Sequence, residues 1–99
     1  MELIIRPEAE EELVDSIDWY EARSAGLGAD FLRCVDVCLE RIKRQPESYP
    51  VVHRGARMGL VRRFPFLVIY RVGDNLISVV AMFHAKRDPS EWKARIDRM

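Results

Sequence analysis

The chain has 99 residues, enough for one domain and too few for two. With 48% hydrophobic and 32% charged residues it has the material for a core under a solvated surface, and no apolar run approaches the roughly 20 residues of a bilayer-spanning helix. The net charge of zero conceals a division: residues 1–50 carry 12 acids and 6 bases, a balance of −6, and residues 51–99 carry 4 acids and 10 bases, a balance of +6.

The start, "MELIIRPEAEEEL", lacks the basic opening and small-residue cleavage site of a signal peptide, so the expected location is the cytoplasm. "LIIR" (3–6) reads as a short strand. Pro7 suits the first position of a helix, where its missing N–H costs nothing, and Glu8, Glu10, Glu11 and Glu12 place negative charge at the helix's positive end. Ala9, Leu13, Ile17 and Tyr20 recur at helical spacing, which makes the acidic run a solvated helix face rather than a metal site. Trp19 and Tyr20 are expected to pack. "RSAGLG" interrupts the period, and a second helical stripe follows through Phe31, Val35, Cys38 and Ile42 to end before Pro46. Two helices so briefly connected form an antiparallel hairpin over roughly residues 8 to 45. Cys34 and Cys38 lie on adjacent turns of one face with no His or Cys cluster nearby in sequence, and read as thiols rather than zinc ligands.

After the loop "QPESYP" come the strand-like segments "VVHRG", "GLVRR", "FLVIYRV" and "LISVVAMF". Pro65 separates the second from the third, and "GDN" (73–75) supplies a turn between the third and fourth. Short connections predict antiparallel pairing. In the last strand Ile77, Val79, Ala81 and Phe83 alternate onto one wholly apolar face, expected to meet the helices, with Leu76, Ser78, Val80, Met82 and His84 on the other. "DPSE" predicts a capped helix start, with Asp88 as N-cap, Pro89 as first helical residue and Glu91 completing a capping box, ahead of a short helix carrying Trp92 and Ile96. The fold class is therefore α+β: one domain over residues 1–99, with an N-terminal strand, a helical hairpin packed on an antiparallel sheet, and a short C-terminal helix. Arg54, Arg57, Arg62, Arg63, Arg71, Lys86 and Arg87 cluster in or beside the strand segments, a pattern that points to a polyanion-binding face.

The order and spacing of "PEAEEELVDSIDWYE", "GLGADFLRCVDVCLERIKRQPESYP", "RRFPFLVIYRV" and "VVAMFHAKRDPSEWKAR" resemble the RelE/ParE superfamily of toxins from bacterial type II toxin–antitoxin modules, over nearly the whole chain. The resemblance implies a small toxin, of the kind associated with plasmid stabilisation and growth inhibition, held inactive by a cognate antitoxin usually encoded next to it. It also implies one of two activities. RelE-like members cleave mRNA on the ribosome without a metal; ParE-like members poison DNA gyrase. Metal-free RNA cleavage needs an acid, a base and cations around the phosphate. His84 is the candidate acid or base because an unperturbed histidine titrates near neutrality, with Arg57 and Arg63 as catalytic cations. Arg54, Arg62, Lys86 and Arg87 are candidate binding residues. His84 has a second reading, as a strand-end residue hydrogen-bonded to backbone. The chain has no Tyr after position 70, where RelE-like enzymes often place one near the C-terminus, and its hairpin is long. Both features favour a ParE-like gyrase inhibitor over a ribosome-dependent endoribonuclease, with an inactive antitoxin-binding module as a third reading. No cofactor, metal or membrane enters any of the three.

Overall fold

In the computed structural model, which describes residues 1–99, the chain runs β1 (Glu2–Ile5), α1 (Pro7–Arg23), α2 (Leu27–Arg44), β2 (Val51–His53), β3 (Ala56–Leu60), β4 (Phe66–Val72), β5 (Leu76–His84) and α3 (Ser90–Asp97). The five strands form one sheet in the order β1-β5-β4-β3-β2. The α1–α2 hairpin lies on one face and α3 on the other, giving two cores. No helix is long and apolar enough to cross a membrane.

The sheet is mixed rather than purely antiparallel. β2 to β5 form antiparallel neighbours, but β1 runs parallel to β5, from Glu2 opposite Leu76 to Ile5 opposite Val79. Parallel pairing demands a long crossover, and here both helices and three strands lie between the partners.

α1 begins at Pro7 with Glu8 and Glu10 in its first turn. The junction with α2 is held by Glu21, whose carboxylate accepts the backbone N–H groups of Gly26 (2.9 Å) and Gly28 (3.0 Å) and so satisfies orphan donors at the start of α2. Gly28 sits against α1 so closely that a Cβ there would lie 2.8 Å from the Ile17 carbonyl oxygen. Below the hairpin, the rings of Tyr20, Phe31, Phe64 and Phe66 interlock at centroid separations of 4.7–5.2 Å, within the range of favourable aromatic contacts.

Two strand expectations are corrected. β3 covers Ala56–Leu60, three residues earlier than "GLVRR". Arg54 and Gly55 both take positive φ (47° and 81°), as a two-residue hairpin turn requires, so pairing starts at once with His53 opposite Ala56. Val61 to Pro65 then leave the strand through a bend in which Arg63 has φ 72°. Alternation along β5 also fails. The β4–β5 register shifts so that Ile69 faces Ala81 while Tyr70 faces Val79, leaving Val80 as an extra residue. Such a bulge exchanges the two faces of the strand beyond it. Ile77, Val79 and Met82 therefore pack under the hairpin, whereas Val80, Ala81 and Phe83 pack under Trp92 and Ile96 of α3.

The last helix begins at Ser90, one residue later than "DPSE" suggests. Asp88 does cap it: its Oδ1 accepts the Ser90 N–H at 2.9 Å, and that bond holds the Asp88 carboxyl below the usual carboxylate range. Glu91 pairs with Arg87 at 2.8 Å instead of closing the reciprocal half of a capping box.

Candidate functional site

Of the candidate catalytic residues, Arg57 is not brought to His84, whereas Arg63 lies in the bend before Pro65, whose carbonyl takes the Ala85 N–H, at the His84 end of the sheet. Arg57 faces Tyr70 across β3–β4, and His84 faces Phe66 across β4–β5. Those rows are four residues apart on β4 and two strands apart across the sheet, roughly 13 Å by 10 Å. The Arg57 guanidinium is engaged elsewhere, donating from Nη1 to the carbonyls of Tyr49 (2.6 Å) and Glu47 (3.1 Å). Beside it the Tyr70 hydroxyl donates to the Pro46 carbonyl at 2.6 Å. Together they fasten the 45–50 loop to the sheet. Burial pushes the Tyr70 phenol up to about 12.

Arg62 and Arg63 both lie exposed in the bend after β3, so strand alternation does not divide them between faces; the Arg63 guanidinium is 6.0 Å from the Phe64 ring. Arg54 binds Asp97 through Nε at 3.0 Å. The same carboxylate oxygen meets His53 Nε2 at 2.8 Å, so one carboxylate ties the β2–β3 turn to the end of α3.

His84, Lys86 and Arg87 occupy the turn that follows β5. The Lys86 backbone N–H donates to His84 Nδ1 at 3.1 Å. A neutral His84 with Nδ1 as acceptor carries its proton on Nε2. The Arg87 N–H returns to the His84 carbonyl at 3.1 Å, and the Ala85 N–H to the Pro65 carbonyl at 2.7 Å. The bulge has moved His84 to the hairpin face, since its partner Phe66 belongs to the core there. It therefore lines a cleft of about 360 Å³ between α1 and the end of β5. Phe66 and Met82 lie buried beneath its floor beside Tyr20; Trp19 and Asp15 come from α1, and His84 and Arg87 stand opposite.

Sequence reasoning missed three of the residues that shape this region. Trp19 was expected to pack and is 50% exposed, with Arg23 stacked over its ring at 4.0 Å. Glu12, apparently one of a solvated acidic run, forms a two-pronged ion pair with Arg95 of α3, at 2.9 and 3.0 Å. Arg95 Nη1 also donates to the Val80 carbonyl (2.9 Å), and the Met82 N–H donates to Glu12 Oε1 (3.1 Å). Past Val79, whose carbonyl takes the Arg6 N–H at 3.0 Å, β1 no longer accompanies β5, and the pair satisfies the edge that is left. The side chains stand 83 residues apart in sequence, and neither carries a motif that would have revealed them.

No group of three or more His, Cys, Asp or Glu is placed to hold a metal ion. Cys34 and Cys38 are free thiols; Cys38 is buried 4.0 Å from the Tyr49 hydroxyl, and desolvation pushes its thiol up.

A helical hairpin on one face of a five-stranded sheet, with β1 closing the sheet beside β5 and a basic turn leaving β5, is the build of a RelE/ParE-type toxin. Over residues 3–89 the sequence matches the family described as the ParE toxin of type II toxin-antitoxin system, parDE, and the chain belongs to that family. Among solved structures it is similar to a chain of the chromosomal ParDE toxin–antitoxin system from P. aeruginosa, at 21% identity and a TM-score of 0.64, covering 87% of this chain and 97% of that one. At that identity the likeness is one of fold. No curated protein matches the sequence. The protein is a toxin of the type II toxin–antitoxin class, and a cognate antitoxin is the partner that membership implies.

Proposed function

We propose that this toxin inhibits growth by acting on DNA gyrase in the cytoplasm and is neutralised there by an antitoxin encoded beside it. What supports gyrase over mRNA is the separation of Arg57 from His84, together with the lack of any tyrosine after Tyr70. Arg57 is bound to loop carbonyls at one end of the sheet, and His84 stands at the other with Nδ1 occupied by a backbone N–H. A metal-free nuclease needs its proton-transfer group and its phosphate-stabilising cations around one reacting atom.

Induced expression separates the activities. Wild-type toxin is expected to block supercoiling while transcripts stay intact, and His84→Gln, which keeps hydrogen bonding, is expected to retain toxicity. Cleaved transcripts in the wild type with supercoiling unaffected, and a loss of about 10²–10⁴ in toxicity for His84→Gln, are the results that transfer the protein to the nucleases. A correctly folded wild type with neither effect makes it an inactive binding module.

A further inference from the structure

The cations in and beside the strand segments point to a polyanion-binding face, and the fold itself employs only some of them. Arg54, Arg87 and Arg95 are answered by carboxylates, and Arg57 by loop carbonyls. Arg41, Arg62, Arg63 and Lys86 are exposed and form no ion pair within the chain. These four come from three segments that the fold ties together. Val61 and Phe64 are buried on either side of Arg62 and Arg63, which turns both consecutive arginines outward, and the Val61 N–H closes the bend on the Phe66 carbonyl at 3.0 Å. Arg63 is held there at φ 72°, a left-handed conformation that a long side chain rarely adopts. On one side the Ala85 N–H bonds the Pro65 carbonyl at 2.7 Å and sets the turn that carries Lys86 against the bend. On the other side Tyr49 packs on Gly59 of β3, and Arg41 of α2 lies over the Tyr49 ring at 5.3 Å. Burial pushes the Tyr49 phenol up, and Arg41 and Arg62 both stand near enough to oppose that push. The acid-rich first turn of α1 is remote: Tyr20, which packs on Phe64, lies about 18 Å further along the helix than Glu8. Arg87, paired with Glu91 and facing Asp15 across the cleft, stays outside the group.

We propose that Arg41, Arg62, Arg63 and Lys86 form a track for the phosphate backbone of duplex DNA. Four unpaired cations spread over α2, the bend and the turn match a row of negative charges rather than one phosphate group, and Arg and Lys hold phosphate oxygens without reading bases. The rings nearby favour a duplex over an unpaired RNA strand. Recognition of single strands stacks splayed bases on open aromatic faces. Here Phe64 and Phe66 are buried, and Tyr49 and Trp19 each have an arginine over the ring. The choice of DNA rests on the gyrase reading above, because gyrase works on duplex DNA, and goes beyond it by giving the toxin a contact of its own with the nucleic acid.

The test is binding of the full-length toxin to a fluorescent duplex of about 20 base pairs, followed by anisotropy between about 50 and 200 mM salt. Four phosphate contacts predict a slope of log K against log salt of about −3.6, a fall of about 150-fold over that range. Arg41→Gln, Arg62→Gln, Arg63→Asn and Lys86→Gln are each expected to bring the slope to about −2.7 and the fall to about 40-fold. Asn at position 63 accepts the left-handed backbone, and unchanged circular dichroism melts confirm that the variants fold. Arg98→Gln, which removes an exposed cation just beyond α3, is expected to leave the slope as it is. No duplex binding by the wild type, an equal change of slope in Arg98→Gln, or tighter binding of a single-stranded RNA of the same length overturns the proposal. A supercoiling assay on the same proteins keeps the two readings apart. Wild-type toxin that blocks supercoiling without binding the duplex refutes the track and leaves the gyrase reading. Wild-type toxin that binds the duplex with the expected slope, but leaves supercoiling untouched, refutes the gyrase reading and leaves the track.

Discussion

Replacing Arg95 by alanine isolates the contribution of the ion pair that finishes the β5 edge. The Arg95 and Glu12 side chains are only 18% and 17% exposed, so most of their hydration is already replaced by each other and by the backbone. Hydrogen bonding to Glu12 raises the Arg95 pKa above its ordinary value, which keeps the guanidinium charged. Without it, the Glu12 carboxylate retains the Met82 N–H but loses its cation, and the Val80 carbonyl loses its donor. Removing one partner of a fully buried pair costs about 3–5 kcal/mol; with roughly one-sixth of each side chain in water we expect ~2–3 kcal/mol. For a domain of this size that is a fall in Tm of about 10–20 °C. Thermal and urea melts of wild type, Arg95→Ala, Glu12→Gln and the double variant measure it. The double variant is expected to lose less than the sum of the singles, with a coupling of about 1–3 kcal/mol. An Arg95→Ala melt within about 0.5 kcal/mol of wild type and additive singles are the values of an exposed surface pair, and would refute the role assigned here.

Tyr70 makes stability sensitive to alkali. Its folded pKa of about 12 lies above the ordinary value of 10.0, so its contribution is complete below pH 10 and is lost as pH rises from 10 through 12. Tyr70→Phe should be less stable at pH 8 by about 1 kcal/mol, for the lost bond to Pro46, and should show a shallower decline between pH 9.5 and 11.5 in urea melts; an unchanged slope contradicts the assignment. Gly28→Ala forces a methyl to 2.8 Å from the Ile17 carbonyl and is expected to destabilise by about 1–3 kcal/mol, whereas Gly→Ala at an unobstructed helix position normally stabilises. A melt equal to or above wild type would show that the α1–α2 contact is looser than described.

The helices were legible in the sequence because their signals are local. The recurrence of Ala9, Leu13 and Tyr20, then of Phe31, Val35, Cys38 and Ile42, marks the buried stripes of the hairpin, and Asp88 announces the start of α3 within two residues. The β5 bulge was not legible, since nothing in "LISVVAMF" distinguishes Val80 from its neighbours; with both faces of the strand buried, either alternation satisfies an apolar pattern. The roles of Arg57 and Arg95 were hidden for another reason. A cation reads as a phosphate ligand or as a structural donor according to what lies within about 3 Å of it, and their partners come from distant elements. The candidate site was thus legible as a location, the turn after β5. Its chemistry was not, because the bulge determines which face His84 joins and the helical geometry of α1 brings Trp19 and Asp15 opposite.

The parallel pairing of β1 with β5 also governs the order in which the molecule is assembled during synthesis. Residues 2–5 leave the ribosome well before residues 76–79, to which they hydrogen-bond. For most of translation Leu3 and Ile5 have no strand to join, although α1 and α2, built from neighbouring residues, are free to pair early. Closing a contact of such sequence separation is entropically costly and slow compared with forming the hairpin. A nascent chain halted before β5 therefore lacks the sheet's central link to its first strand, as well as the turn that carries His84 and Arg87. The sheet of the toxin is complete only when β5 arrives.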